Sequence, residues 1–470
     1  MSPSTPASSA ADSVERAVLA RITPDAATRA RVDLARERLV ARAETAARER
    51  SLPVVRCLVA GSGARGTYLV DRLDLDLFLL FPPTLPRAEL ERAGLELGRA
   101  ILTEPETRYA EHPYLRGLFE GFRVDAVPGY AVEDPSKPIT AVDRTPFHQA
   151  YLTERETPEL VDQIRLTKQY LRTLGIYGSE SRTAGFSGYL VELLVLRFGS
   201  LRGLLTAART WRIPVKLVST PGAAPTVPDD VALVFDDPVD PGRNVATALS
   251  RAHLGLFVVA AGEYLERPTD GAFTPVKRTP PTVEAARARV AERGTHVAVV
   301  PLPRPDLVDD ILYPQLRKAE RAVAEEAGRL GFTVLGTASA AGERSSVVLI
   351  EVEHGELPAV RVQDGPPAGI DRVGSFLGKW TQPDAPVLQG PYVQGDGRLA
   401  VETRRTHRRL ERLLLEGFER LPIGRDLKAA APGPVAITTL GEAPESPELR
   451  EALGELLNKR LPWLVERGPP

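Results

Sequence analysis

The stretch VAGSGARGTYLVDRLDLDLFLLFP, residues 59–82, carries the strongest structural signal in the chain. It opens on the end of a β-branched run that includes Val54, Val55, Leu58 and Val59, which predicts a strand. A loop of small residues follows, with Gly61, Ser62, Gly63, Ala64, Arg65 and Gly66 in succession. A second predicted strand runs over 73–81 and stops at Pro82 and Pro83. Side chains alternate along a strand, so Asp74 and Asp76 share one face while Leu73, Leu75 and Leu77 share the other. Two carboxylates that close repel each other unless a cation lies between them. A D-x-D alone also fits a solvent-facing strand, but the loop before it changes the balance. Its small residues let backbone N–H groups approach a phosphate chain closely, and Arg65 adds a donor. Oxygen ligands on a rigid strand suit Mg²⁺, which is commonly held by one or two carboxylates plus substrate phosphates.

Further out, the run FRVDAV over 122–127 predicts another strand, with Asp125 inside it. An acid in a mostly apolar strand needs a partner. A metal pair shared with Asp74 and Asp76 supplies one, with one cation activating an attacking hydroxyl and the other steadying a leaving pyrophosphate. Before this region, Thr23, Pro24 and Asp25 read as an N-cap, an N1 proline and a first-turn acid for a helix through 31–50. Residues 1–12 read as a frayed leader. A helix is expected over 87–102. From 158 to about 265 the pattern is mainly helical: 158–174 stopped at Gly175, a helix capped by Ser187, a loop over 221–228, and a helix over 245–265. Residues 266–282, rich in Pro, Thr and Gly, read as a linker. A strand over 296–302, a helix over 313–330, a strand from 332 and a strand over 347–352 give a β-α-β-β order that suggests a ferredoxin-like module. Residues 360–400 are rich in Pro and Gly, and their Phe376, Trp380 and Tyr392 suit a core better than a stacking platform. A basic helix over 402–420 is expected to align Arg404, Arg405, Arg408, Arg409 and Arg412 in a stripe.

Composition bounds the possibilities. At about 150 residues per domain, 470 residues suggest about three domains. Hydrophobic residues at 43% and charged residues at 26% are ordinary for a globular chain and argue against extensive disorder. No run approaches the roughly 20 apolar residues of a membrane span. The single cysteine, Cys57, excludes an intrachain disulfide and a Cys-rich zinc site. A cytoplasmic protein is the simplest reading. A net charge of -2 excludes a uniformly basic nucleic-acid coat, though not a local basic face.

The G-S loop, the strand with alternating acids and the later single Asp resemble the nucleotidyltransferase superfamily typified by DNA polymerase β. The ordered blocks go further. Residues 59–82, VDRTPFHQAY at 142–151, LTKQYLRTLGIYGSESRTAGFSGYLVELLV at 166–195, DPVDPGRNVATAL at 237–249, RPDLVDDILYPQL at 304–316 and GERSSVVLIEVE at 342–353 together resemble the archaeal-type (class I) CCA-adding enzymes. That family often has Glu where this chain has Asp74, a side chain longer by one methylene with the same ligand oxygens.

The resemblance implies an α+β multidomain fold: a polymerase β-like nucleotidyltransferase domain over 13–155, a helical central domain over 156–268, a ferredoxin-like body over 283–335 and 400–465, and a tail over 336–399 that contacts tRNA. It implies template-independent addition of C, C and A to the tRNA 3′ end from CTP and ATP, with release of pyrophosphate and Mg²⁺ as cofactor. Asp74, Asp76 and Asp125 become the catalytic, metal-holding acids. Ser62, Arg65, His148, Lys168 and Tyr177 become nucleotide-binding residues, and Arg243, expected at a helix start, reads the base edge. Arg404, Arg405, Arg408 and Arg412 are assigned to tRNA phosphates. The partners implied are tRNA, CTP and ATP, with no membrane and with a homodimer left open. Two other classes share features: a different template-independent transferase, and an RNA-binding protein with a degenerate transferase domain. The retention of three acids weighs against the second.

Overall fold

The computed structural model describes residues 6–109, 112–219, 225–276, 279–431, 433 and 435–465. The start of the expected leader, 1–5, and part of the expected loop, 221–224, lie outside them. The chain divides into two units, Met1–Lys277 with Arg460–Pro470, and Arg278–Lys459.

The first unit begins with two helices, α1 (Pro6–Ile22) and α2 (Ala26–Glu49). The leader expectation is corrected from residue 6 onward. Ala11, Val18 and Ile22 fall seven and four residues apart and are buried, which gives α1 a core-facing edge. The cap of α2 is also corrected. Asp25, not Thr23, accepts the N–H of Thr28 at 2.7 Å, so the helix starts at Ala26. Buried Val32, Ala35, Leu39, Ala43 and Ala46 then follow at spacings of three and four.

A mixed five-stranded sheet comes next. Its strands are β1 (Arg56–Ala60), β2 (Asp74–Phe81), β3 (Thr103–Tyr109), β4 (Pro113–Phe119) and β5 (Phe122–Tyr130). The one-turn helix α3 (Gly61–Arg65) follows β1, and α4 (Arg87–Ile101) follows β2. The spatial order is β1-β2-β5-β4-β3, with β2 and β5 parallel and the other neighbours antiparallel. Leu75, Leu77, Leu79 and Phe81 join the buried faces of α2 and α4 in one core. On the opposite face of β2, Phe78 and Leu80 pack with Leu58 and Ala60. Only the first positions of that face, Asp74 and Asp76, remain partly accessible. The acids therefore sit where the sheet face opens.

Helices α5 (Thr145–Thr153), α6 (Pro158–Thr173), α7 (Gly188–Phe198) and α8 (Leu201–Ala208) continue the unit. Ser187 caps α7 by accepting the Leu190 N–H at 3.1 Å, as its position predicts. Two short pairs follow: β6 (Val215–Lys216) with β7 (Leu233–Val234), and the hairpin of β8 (Asp236–Asp237) with β9 (Asp240–Asn244). The expected helix over 245–265 is corrected to α9 (Arg251–Glu266), capped by Ser250. Arg243 thus lies on β9 rather than at a helix start. Tyr170, Phe186, Phe257 and Phe273 fill the core of this helical region.

In the second unit, α10 (Val283–Arg293) precedes β10 (His296–Pro303), α11 (Asp309–Leu330), β11 (Val334–Ala341) and β12 (Ser345–Val352). A separate three-stranded sheet follows, from β13 (Val360–Pro367), β14 (Val387–Val393) and β15 (Arg398–Arg404), with α12 (Arg372–Trp380) between its first two strands. The chain then returns through α13 (Leu410–Gly417), α14 (Arg425–Ala430), β16 (Thr438–Thr439) and α15 (Pro447–Leu457). The body sheet has the order β11-β12-β10-β16, all neighbours antiparallel, which is the ferredoxin-like arrangement. The expected tail boundaries are corrected on this evidence of pairing. Residue 336 lies inside β11 of the body sheet, and residue 400 lies inside β15 of the separate sheet.

The basic helix over 402–420 is also corrected. Arg404 ends β15, Arg405, Arg408 and Arg409 lie in the connection, and only Arg412 is helical, so no single stripe forms. The Arg405 N–H donates to Ala359 O at 2.8 Å. Arg408 Nε donates to Leu357 O at 2.8 Å, and Arg412 pairs with Glu416 at 3.2 Å. Of the tail aromatics, Phe376 and Trp380 lie on α12, which has no buried residue, so the core reading does not hold for them. Lys379 Nζ stands 4.4 Å from the Trp380 ring centroid.

Candidate active site

The strand register brings the acids together. In the parallel pairing of β2 and β5, Asp76 stands opposite Asp125 and Asp74 opposite Arg123. Ala60, the last residue of β1, stands opposite Asp76 on the other side. Gly61 follows at once with φ +68, and a Cβ there would lie 2.4 Å from Asp76 Oδ2. The glycine is required twice, for its backbone conformation and for the approach of the carboxylate.

Asp76 is the electrostatically strained member. Burial, then the charges of Asp125 and Asp74, push its carboxyl up to about 7, against Arg116 and Arg65. Asp125 has a partner on the next strand. The register places Arg116 of β4 opposite it, and the guanidinium donates to both carboxylate oxygens at 2.7 Å. Asp74 is flanked by Arg72 at 3.6 Å and Arg123 at 3.9 Å. Among the described residues, no three His, Cys, Asp or Glu side chains converge on one point. The donor set still fits a hard divalent cation. It is all oxygen, two members share one strand face, and mutual repulsion at Asp76 is what a cation relieves. Asp125 lies beside that set, with both of its carboxylate oxygens engaged by Arg116.

Beside the acids lies a cavity of about 290 Å³ lined by Ser62, Arg65, Asp76, His148, Lys168 and Tyr177 among others. An adjoining cavity of about 280 Å³ shares Ser62, Asp76, Lys168 and Tyr177 and takes in Asp74 and Asp125. The residues singled out from the sequence in the first unit thus line one or both of these adjoining cavities, except Arg243, which meets their edge through Asp237 and His148.

Two buried carboxylates organise the walls, and sequence reading assigned neither. Glu192 of α7 accepts from Thr67 Oγ1 at 2.8 Å, Lys168 Nζ at 3.0 Å and Arg65 Nη2 at 2.5 Å. Burial opposes its ionisation, but Lys168 and Arg65 outweigh burial and hold its carboxyl below the usual range. Arg65 also approaches Glu156 at 3.4 Å and donates to Gln149. Burial and then the Glu192 charge push the Glu156 carboxyl up to about 7. Arg65 and Lys168 are therefore seated cations with protein counter-ions, not free arms. The second organiser is Asp237 of β8. Its carboxylate bonds His148 Nε2 at 2.8 Å, Tyr189 OH at 3.0 Å and Arg243 Nη1 at 2.8 Å. The His148 ring stacks on Tyr189 with centroids 4.0 Å apart. A signal for Glu192 stands in the sequence: an acid inside the apolar run LVELLVL needs a buried partner, as Asp125 does.

Comparison with known proteins agrees with this architecture. Three family descriptions match in chain order: nucleotidyltransferase domain over 40–148, tRNA nucleotidyltransferase second domain over 162–274, and CCA-adding enzyme C-terminal domain over 293–432. The CCA-adding enzyme of Halobacterium salinarum is 41% identical over 418 residues, covering 88% of this chain and 89% of that one. The chain belongs to the CCA-adding enzymes. Those of Haloarcula marismortui and Methanosarcina acetivorans are similar to it at 37% and 34% identity, covering 90% and 89% of this chain and 96% and 92% of theirs. As a CCA-adding enzyme the chain is a nucleotidyltransferase of tRNA processing, and its first unit carries the nucleotidyltransferase domain. No described helix is long and apolar enough to cross a membrane.

Proposed function

We propose that this chain adds C, C and A in turn to the 3′ end of tRNA, using CTP and ATP and releasing pyrophosphate, without a nucleic-acid template. The observation that carries the reading is the register of β2 and β5. It sets Asp76 beside Asp125 at the junction of the two cavities that Ser62, Lys168 and Tyr177 line.

Asp74 and Asp76, joined by Asp125, are the residues to hold Mg²⁺. Bound there, divalent cations supply Lewis-acid stabilisation to the attacking 3′-hydroxyl and the leaving pyrophosphate. The chain's own groups do the rest. Ser62 and the backbone of α3 receive the triphosphate. Lys168 and Arg65, kept in place by Glu192, give that wall its positive potential. Arg243 donates to the base edge. Cytosine and adenine present a ring-nitrogen acceptor on the pairing edge where uracil presents an N–H, so one set of donors accepts the first two and rejects the third. A fixed side chain cannot count three rounds, so the growing 3′ end completes the pocket.

The test uses tRNA ending at the discriminator base, Mg²⁺, and each labelled nucleotide separately and together. CTP alone should extend the RNA by two residues, ATP alone by none, and the pair by three. Chelation of the metal should stop all addition. Extension by UTP as readily as by CTP, or unlimited addition of A, refutes the reading.

A further inference from the structure

We propose that Asp237 is the positioning residue for nucleotide choice, seating Arg243 and orienting His148 at the edge of the nucleotide cavity. This rests on the reading of Arg243 as the donor to the base edge.

The Asp237 side chain has no exposed surface, yet it meets donors from three separate parts of the first unit. Its Oδ1 accepts from Tyr189 OH of α7 at 3.0 Å and from the Val239 N–H in its own hairpin at 3.1 Å. Its Oδ2 takes Arg243 Nη1 of β9 at 2.8 Å and meets His148 Nε2 of α5 at 2.8 Å. A carboxylate accepts at both oxygens and donates nothing, so it alone can collect all four. Burial opposes its charge, but the His148 contact and Arg243 outweigh burial and hold the carboxyl below its ordinary range. With Nε2 of His148 committed as a donor, Nδ1 of a neutral ring is an acceptor.

A second contact keeps the hairpin from sliding. Asp240, at the start of β9, takes Arg144 Nε at 2.9 Å and Nη2 at 2.8 Å, just before α5 begins. The turn is thus tied to the α5 region at Asp237 and again at Asp240, three residues before Arg243. One Nη group of Arg243 is bound inward while 38% of its side chain stays exposed. A long side chain that would otherwise sample many rotamers presents one orientation of its remaining donors.

The decisive variant is Asp237→Asn. If its amide oxygen stays on Tyr189 and Val239, its NH₂ faces the other two partners. His148 can change tautomer and accept, whereas Arg243 has no acceptor to offer and loses its seat. On tRNA ending in the discriminator, C and CC, the kcat/KM preference for CTP or ATP over UTP should fall about tenfold, which corresponds to about 1.36 kcal/mol. Arg243→Ala should lower it at least as much, and Asp237→Asn should cost less in the Arg243→Ala background than it does alone. If Arg243→Ala discriminates like the wild type, the base-reading role fails and this proposal with it. If Arg243→Ala loses discrimination while Asp237→Asn retains it, the positioning role alone is overturned. Should Asp237→Asn lose its cooperative melt, Arg243→Ala with added guanidinium carries the test. An ion seated on Asp237 restores the preference against UTP, and no restoration overturns the proposal.

Discussion

Replacing Glu192 by Gln keeps the shape of the side chain and removes the charge that Lys168 and Arg65 share. Glu192 is 2% exposed, and Lys168 and Arg65 are 4% and 6% exposed, so water does not screen the loss. Removing one partner from a buried pair costs about 3–5 kcal/mol. Glu156 remains 3.4 Å from Arg65 and ionises more easily once the Glu192 charge is gone, which places the expected cost at the lower end, about 3 kcal/mol. The assay is urea unfolding at pH 7 in a Trp380→Phe background, so that the fluorescence comes from Trp211 and Trp463 of the first unit. With a slope of about 2–3 kcal/mol/M, the midpoint should fall by about 1 M. Acid gives an independent check. The folded carboxyl of Glu192 lies below the ordinary 4.5, so its stabilisation is complete above that value and is lost as pH falls through the folded one. The deficit of Glu192→Gln should therefore shrink on acidification below 4.5. A midpoint shift under about 0.3 M at pH 7, or a deficit indifferent to acid, refutes the account of Glu192 as counter-ion to both cations.

Asp76→Ala and Asp125→Ala should each abolish nucleotide addition while a gel shift still shows tRNA binding; wild-type-like incorporation by either removes that residue from the catalytic set. Glu156 carries a raised folded value of about 7, so its stabilisation is full below 4.5 and is lost as pH rises through 7. Glu156→Gln should flatten the decline of stability between pH 5 and 8 by roughly 2–3 kcal/mol, at 1.36 kcal/mol per unit, and an unchanged slope in paired melts assigns the decline elsewhere. Gly61→Ala should cost at least about tenfold in addition rate, a barrier increase of about 1.4 kcal/mol, because the new methyl displaces Asp76 from its register partner. Full activity in a folded Gly61→Ala variant would mean the carboxylate works from elsewhere.

The elements that the sequence discloses are those whose periodicity and caps agree. Strand β2 shows because its leucines alternate with acids, and α7 because Ser187 announces it. Strands β3 and β4 do not show. All of β3, TEPETRY, is exposed, so no apolar alternation marks it. Without β4 there was no way to see Arg116 across from Asp125. The basic run at 404–412 has helical spacing, but β15 takes Arg404 into a sheet and the connection fixes Arg408 on Leu357. Long-range pairing overrides local spacing there. Asp237 is written in the same block as Arg243, yet its partners His148 and Tyr189 are remote in sequence. Local pattern cannot reveal a convergence of three distant segments.

The insertion in the body sheet has an evolutionary consequence. The chain leaves that sheet at Val352 and comes back to it only at Thr438, and the whole β13-β15-β14 sheet is built in between. Closing a longer loop costs little, about 0.6 kcal/mol for each doubling of its length. The host sheet is therefore nearly indifferent to the size of its guest. The buried strands β10 and β12, and the helices α13 and α14 whose Leu410, Leu414 and Leu427 share their core, can stay under strict packing constraint while residues 360–404 lengthen, shorten or change surface. A lineage can reshape the inserted sheet without renegotiating the fold that carries it.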